Sequence, residues 1–155
     1  IHENSGKLLQ SYKDQLIHII DRDSESYENV ISAFRLPKKN KNDIKIRNKS
    51  IYQSTYTSAK VPLNLLKICT KTLNETYKVT VNGNPNSISD MAVANDMIFA
   101  ASKGAIYNIL INIPELSSKD RDYFKQNINY YFKQIQDTNL KINKFLKTSV
   151  ISLDE

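Results

Sequence analysis

Apolar residues recur along this chain at intervals of three and four positions, the spacing of one face of an α-helix. The pattern from Ser5 to Phe34 predicts a first helix, roughly 45 Å long at about 1.5 Å per residue. Its apolar seam consists of Leu8, Leu9, Tyr12, Leu16, Ile19, Ile20, Tyr27, Val30, Ile31 and Phe34. Asp23 lies on that seam. Because an acid on an apolar face is costly unless paired, Asp23 is predicted to have either a partner or a function.

A second helix is predicted from about Asp43 to about Tyr77, after the first helix ends at Arg35-Leu36-Pro37-Lys38. The first helix ends there because the residue before a proline disfavours the helical conformation. The inner face of the second helix is predicted to carry Tyr52, Tyr56, Ala59, Leu63, Leu66, Cys69 and Leu73. Pro62 falls inside this helix and is predicted to kink or break it, since a mid-helix proline costs about 3 kcal/mol.

The most apolar stretch runs from Met91 to Ile113 and is bounded by turn-forming residues. It follows the loop Gly83-Asn84-Pro85-Asn86-Ser87-Ile88-Ser89-Asp90, and Pro114 closes it. Ser87 and Asp90 have the spacing of a capping box, with Ser89 as an alternative cap. Because apolar residues occur on nearly every side of this stretch, it predicts a helix surrounded by protein.

A few polar residues interrupt the apolar helix on one side. Asp90 and Asn108 are eighteen residues apart, which is five whole turns, so they share one azimuth, and Asn112 follows one turn later. Between Asp90 and Asn108 the same stripe carries only small or slim residues, namely Ala94, Met97, Ala101 and Gly104. This pattern fits either a functional cleft, or a capping carboxylate with amides that bond to neighbouring helices.

The last helix is predicted to begin at Ser117 or Ser118. Its apolar seam consists of Phe124, Ile128, Tyr131, Ile135, Ile142 and Phe145, with charged residues opposite, as in an ordinary amphipathic helix. The tail from about Thr148 carries no clear signal. With 155 residues, 40% of them hydrophobic, and only three glycines, the chain is predicted to form one all-α domain over residues 1–155, an antiparallel bundle of long helices.

The charge balance alone suits a small anionic molecule as well as a nucleic acid. The net charge is +6, but basic and acidic residues are interleaved, and the densest basic segment, Lys38 to Lys49, is a connection. No aromatic residue lies among those lysines to stack on bases. We therefore expect no nucleic-acid partner.

The remaining composition points to a protein of the cytoplasm. The single cysteine, Cys69, falls on an apolar face, which predicts a buried inert thiol and suits a reducing compartment. No apolar stretch is long enough for a membrane span, and no signal peptide is expected before the first helix. His18 is predicted to lie on the surface and His2 near a frayed terminus, so no metal site is expected.

Short motifs occur in a characteristic order over roughly residues 8 to 130. They are Ile20-Asp21-Arg22-Asp23-Ser24 with Tyr27, Leu36-Pro37-Lys38, Val61-Pro62-Leu63, Gly83 to Asp90 running on through Val93-Ala94, Gly104-Ala105 with Asn108, and Ile111-Asn112. Each fragment is weak alone. In this order and with these gaps, the set resembles the methenyltetrahydrofolate cyclohydrolases and the cyclodeaminase half of formimidoyltransferase-cyclodeaminase.

The resemblance implies an all-helical fold, completed by dimerisation or a larger assembly, with a folate site near a subunit interface. The substrate would be a folate, including its polyglutamylated forms. The reaction would be hydrolysis of 5,10-methenyltetrahydrofolate to 10-formyltetrahydrofolate, or cyclisation of 5-formimidoyltetrahydrofolate with loss of ammonia. Neither reaction needs redox chemistry and no nucleotide-binding motif is visible, so no cofactor is expected.

Two carboxylates are the catalytic candidates. The methenyl bridge is a cationic carbon, so its hydrolysis needs a held water, a base and groups that stabilise the cation. Asp90 is the first candidate for base or cation stabiliser, and the positive end of its helix favours the stabiliser role. Asp23, on an apolar seam, would be the better proton acceptor. The sequence does not assign the two roles. A working site requires the side chains of Asp23, Asn84, Asp90 and Asn108 to converge on one cavity inside the bundle, and this is what we expect.

The substrate-binding candidates are Asn84, Ser87, Asn108, Asn112, Arg35 and Lys38. The amides and the hydroxyl would hydrogen-bond the pterin edge or position water. Arg35 and Lys38 would pair with the glutamate carboxylates of the substrate, the arginine in bidentate fashion. Alternatively, these two residues form a solvated helix end.

One feature of the family is not seen in this sequence. Members usually open with a Gly-Gly-Gly-Ser segment leading into an alanine-rich helix, and this chain begins about where that helix would end. Absence of a core helix would leave apolar surface exposed and favour pairing with another chain. It also motivates the alternative hypothesis, a catalytically silent helical module that keeps the fold for dimerisation or binding.

Overall fold

The computed structural model describes residues 2–149, which form four long helices and no strand. The helices are α1 (His2–Arg35), α2 (Lys41–Asn82), α3 (Ile88–Asn112) and α4 (Ser118–Ser149), with short 3-10 turns at Pro85–Ser87 and Ile113–Glu115. The prediction of an all-α antiparallel bundle is confirmed. Most of the tail beyond Thr148 lies outside the described residues.

Helix α2 organises the molecule because it is the one helix that contacts each of the others. Helices α3 and α4 pack on α2 and on each other, whereas α1 packs on α2 alone among the described elements. The core therefore lies between α2, α3 and α4. Its fully buried apolar side chains include Leu63, Leu66, Leu73, Ile109, Phe124, Ile135 and Ile142.

Helix α2 is unbroken at Pro62, and it extends five residues beyond the predicted end at Tyr77. The proline ring is buried between two buried neighbours, Val61 and Leu63. Packing of this segment offsets the backbone hydrogen bond that a proline cannot donate. The predicted break is therefore not found.

Helix α3 corrects the prediction of a helix surrounded by protein. One of its faces is buried, but Val93, Met97, Tyr107 and Ile111 are 59%, 67%, 62% and 78% exposed. Since α3 packs only against α2, α4 and the adjoining turns, its opposite side faces solvent in a single chain. The predicted capping box is also absent, because the Ser87 side chain makes no capping hydrogen bond.

Helix α1 departs from the predicted seam in the same way. Ile20, Tyr27 and Phe34 are each more than half exposed, and Asp23 beside them is exposed as well. The reason is that α1 has a single packing partner, so only part of its apolar surface is covered. His18 lies on the surface, as predicted.

Two buried polar contacts fix the helices in register. Asn95, Asn139 and Asn143 form a closed ring of side-chain amides between α3 and α4, with donor–acceptor distances of 3.1, 3.0 and 3.1 Å. At the start of α1, the Ser5 hydroxyl donates to the buried Glu75 carboxylate at 3.1 Å. Every member of the ring donates one amide N–H and accepts one hydrogen bond at its amide oxygen, so the ring closes on itself.

The start of α4 and the burial of the cysteine agree with the predictions from the sequence. Helix α4 begins at Ser118, and the backbone N–H of Asp120 donates to the Ser117 hydroxyl at 3.2 Å. Cys69 is buried, and burial raises the pKa of its thiol, with a smaller opposing effect from a hydrogen bond with Ser102. None of the helices in the described range carries an apolar stretch that could cross a membrane.

The core makes a direct prediction about stability. Leu73→Ala removes a fully buried side chain and should lower the free energy of unfolding by about 2–5 kcal/mol. Leu140→Ala, at a leucine that is 66% exposed, is the matched control and should change it by less than about 0.5 kcal/mol. Urea unfolding followed by circular dichroism measures both. Equal effects of the two changes would contradict the assigned core.

Candidate functional site

The loop between α2 and α3 is built around a glycine and a capping asparagine. A Cβ atom on Gly83 would lie 2.3 Å from the Val79 carbonyl oxygen, so only glycine allows the chain to leave α2 in this way. Asn84 then accepts a hydrogen bond from the Asn86 backbone N–H at 3.0 Å. The Asn84 side chain therefore already has a structural role, and its amide N–H groups remain to bind a ligand.

A cavity of about 720 Å³ lies beside this loop. It is enclosed by the end of α2, the start of α3 and the end of α4, and Asn84 and Ser87 both line it together with Met91 and Phe145. Ligand pockets typically measure about 300–1,000 Å³. Two of the predicted substrate-binding residues thus share one cavity of suitable size.

Asp90 and Asn108 share a face of α3, as predicted, but they are far apart along it. Eighteen residues at about 1.5 Å each separate them by about 27 Å. Both are exposed, and no other described residue hydrogen-bonds to the Asp90 carboxylate. The Asn112 side chain donates to the Asn108 carbonyl at 2.8 Å, a contact within the helix itself.

The other candidates lie on α1 and on the connection that follows it. Arg35 is the last residue of α1 and Lys38 precedes α2, whereas Asn84 and Ser87 follow α2. Helix α2 has 42 residues and is therefore about 63 Å long. The two groups of binding residues accordingly lie near opposite ends of α2.

A single chain does not bring the predicted site residues together. We expected Asp23, Asn84, Asp90 and Asn108 to converge on one internal cavity, but all four are exposed, and α1 makes no contact with α3 among the described elements. The expectation failed because the azimuth of a residue on a helix fixes its face, but neither its height along the axis nor the neighbour that covers it. In a single chain Asp23 is exposed, so it lacks the apolar surroundings on which its predicted advantage over Asp90 as a proton acceptor depends.

The structure adds residues that the sequence reasoning assigned only to packing. Phe145 was predicted on the seam of α4, yet it lines the cavity because α4 continues beyond Ile142 to the level of the loop.

Near the other end of α4, the Tyr52 hydroxyl donates to the Asp120 carboxylate, which also accepts from Ser117 at 3.0 Å. Burial is the main cause that raises the pKa of the neighbouring Tyr56. No group of three or more metal-binding side chains occurs within residues 2–149.

Comparison with known proteins places these features in a family. The formiminotransferase-cyclodeaminase family model matches residues 2–130. Formimidoyltransferase-cyclodeaminase of Gallus gallus is 26% identical over 111 residues, which cover 72% of this chain and 20% of that protein. Methenyltetrahydrofolate cyclohydrolase of Methylorubrum extorquens is 29% identical over 104 residues, which cover 67% of this chain and 50% of that protein.

The fold agrees with a solved structure from the same group. The crystal structure of formiminotetrahydrofolate cyclodeaminase from Thermotoga maritima matches with a TM-score of 0.79 and 22% identity, covering 92% of this chain and 67% of that one. The chain spans only a fifth to a half of the length of the two relatives named above. With the family model matched over most of its length, the chain belongs to the formiminotransferase-cyclodeaminase family.

Proposed function

We propose that this chain acts on a folate one-carbon compound at a site shared by two copies. The reaction is hydrolysis of 5,10-methenyltetrahydrofolate to 10-formyltetrahydrofolate, or cyclisation of 5-formimidoyltetrahydrofolate with release of ammonia. Family membership and relatives named for each of these activities support it. The observation that carries the shared site is that Arg35 and Lys38 lie near one end of α2, whereas Asn84 and Ser87 lie near its other end.

If α3 packs antiparallel against α3 of a second copy, the site residues from one end of each chain come close to those from the other end of its partner. The stripe on α3 has symmetric spacing, so pairing about its centre sets Met97 opposite Ala101 and Ala94 opposite Gly104 of the partner copy. Asp90 then faces Asn108 of the partner copy. Such a two-fold interface is isologous, because each residue pair occurs twice. The small residues in the middle of the stripe allow the two helices to approach closely.

Exposed apolar side chains support the same arrangement. Met97 and Ile111 on α3, and Ile20 and Tyr27 on α1, are all more than half exposed in a single chain. Large apolar patches mark interaction surfaces in soluble proteins, and these exposed faces of α1 and α3 are the candidates for such a role. A second copy that covers both faces would also surround Asp23 with apolar groups and so restore its predicted role as proton acceptor.

The chemistry follows from two carboxylates in such a shared pocket. In the hydrolysis, water adds to the cationic methenyl carbon and a carboxylate takes the proton of that water. The hydroxyl of this adduct then loses its proton as the bond from the carbon to N5 breaks, and N5 takes up a proton, which leaves the formyl group on N10 and releases one proton overall. Asp90, at the start of α3, suits stabilisation of the cation, while amide groups of Asn84 hold the pterin edge. Arg35 and Lys38 of the partner copy would bind the carboxylates at the glutamate end.

Loss of the Asp90 carboxylate should abolish most of the turnover. Asp90→Asn keeps the shape of the side chain but removes its charge, so kcat should fall by about 10²–10⁴-fold. The exposed Asp137, on α4, provides the control, since Asp137→Asn should leave kcat unchanged. Decay of the ultraviolet band of methenyltetrahydrofolate measures the hydrolysis, and ammonia release from the formimidoyl compound measures the cyclisation. Folate binding without turnover by the unaltered chain would instead support the silent module.

Mixed dimers test whether the site is shared. Asp23→Asn and Asp90→Asn should each be inactive alone, because each removes one carboxylate from every site. In an equal mixture, half of the dimers contain both variants, and one of their two sites is intact, so about one quarter of the original rate should return. Activity that stays at the level of the separate variants after mixing and refolding would contradict a site built from two copies.

A further inference from the structure

A groove between α1 and α2 collects positively charged side chains on a surface that the proposed folate site does not use. It has a volume of about 320 Å³, and its positively charged lining residues are Arg22 from α1 and Lys67 and Lys71 from α2, with the His18 side chain one turn from Arg22. None of its lining residues is acidic. This local excess of positive charge contrasts with the interleaved charges of the chain as a whole.

Each helix contributes its two groups from neighbouring turns. His18 and Arg22 are one turn apart on α1, and Lys67 and Lys71 are one turn apart on α2. The floor between them is apolar, because Ile68 is buried and Ile19 is half-buried. An anionic ligand in this groove would meet the charged groups at its sides and apolar surface at its base.

The cations of the groove are not neutralised by the protein. Among residues 2–149, the ion pairs are Lys7 with Glu3 and Lys78 with Glu75, and neither pair involves the groove. Lys67 has another contact, since its ammonium lies 5.8 Å from the centroid of the Tyr131 ring. Like charges one helical turn apart, such as Lys67 and Lys71, destabilise a helix unless an anion intervenes.

The groove lies apart from the surface that the proposed dimer covers. Successive residues of a helix are rotated by about 100°, so Arg22 and Asp23 point to different sides of α1. Arg22 and Tyr27 are about 140° apart by the same rule. The groove and the exposed apolar side chains therefore lie on different flanks of α1, so the proposed second copy would cover the apolar flank and not the groove.

We propose that this groove binds a small anion that carries two or more phosphate or carboxylate groups. Its volume is near the lower limit for ligand pockets, about 300 Å³, which suits a compact ligand. The Arg22 guanidinium can bind one anionic group through two N–H bonds, and the lysines act as point charges for the others. A nucleic acid fits less well, because no aromatic side chain lines the groove to stack on a base.

Calorimetric titration of the whole chain with tripolyphosphate at low ionic strength tests the site. We expect binding that weakens as salt is added, and at least about tenfold weaker binding by the triple variant Arg22→Gln, Lys67→Gln, Lys71→Gln. The matched control, Lys133→Gln, Lys141→Gln, Lys144→Gln, makes the same charge change on the exposed face of α4 and should bind as the original does. Should the triple groove variant fail to fold, Lys71→Gln alone should still weaken binding.

Parallel titrations identify the ligand class and provide the results that would overturn the site. Tighter binding of tripolyphosphate assigns a phosphate ligand, and tighter binding of citrate assigns a carboxylate ligand. No binding of either anion, or equal weakening by the groove and control variants, would refute the proposal. Tighter binding of a single-stranded RNA oligonucleotide that depends on the groove residues would also refute it, because the ligand would then be a nucleic acid.

Discussion

The packing of the leucines of α2 against α3 and α4 is the interaction on which the rest of the structure depends. Leu63, Leu66 and Leu73 are fully buried, and they meet Phe124 and Ile135 from α4. Burial of each such side chain contributes about 1.5–3 kcal/mol. This core holds α2, α3 and α4 together and leaves α1 in contact with α2 alone. The exposed apolar surfaces of α1 and α3 are the sides of these helices that the packing leaves uncovered.

The length of α2 determines how a site can be formed. A helix of 42 residues separates the connection that carries Lys38 from the loop that carries Asn84 by about 63 Å. Since α2 continues without a break through Pro62, one chain keeps these two ends apart. In two antiparallel copies, the connection before α2 of one copy lies beside the loop after α2 of the other. We propose this geometry for the folate site.

Periodicity predicted the helices well but not what covers them. The start of α4 at Ser118 and the buried Cys69 were predicted, since capping residues and apolar spacing are local signals. The extension of α2 to Asn82 was missed because threonines favour other structures, yet here Thr76 and Thr80 donate to the carbonyls four residues earlier, at 3.0 and 2.8 Å. Exposure of Asp23 and Asp90 depends on which helices pack together, and a single sequence does not encode that locally.

Disulfide cross-linking across α3 tests the antiparallel pairing most directly. A mixture of Met97→Cys and Ala101→Cys should form a covalent heterodimer under mild oxidation, because facing Cα atoms in such a pair lie within the roughly 4–7 Å that a disulfide spans. The buried Cys69 should not compete. A mixture of Met97→Cys and Ile111→Cys should remain unlinked, since these positions would lie well apart along the paired helices. No heterodimer from the first mixture, or equal yields from both, would contradict the account.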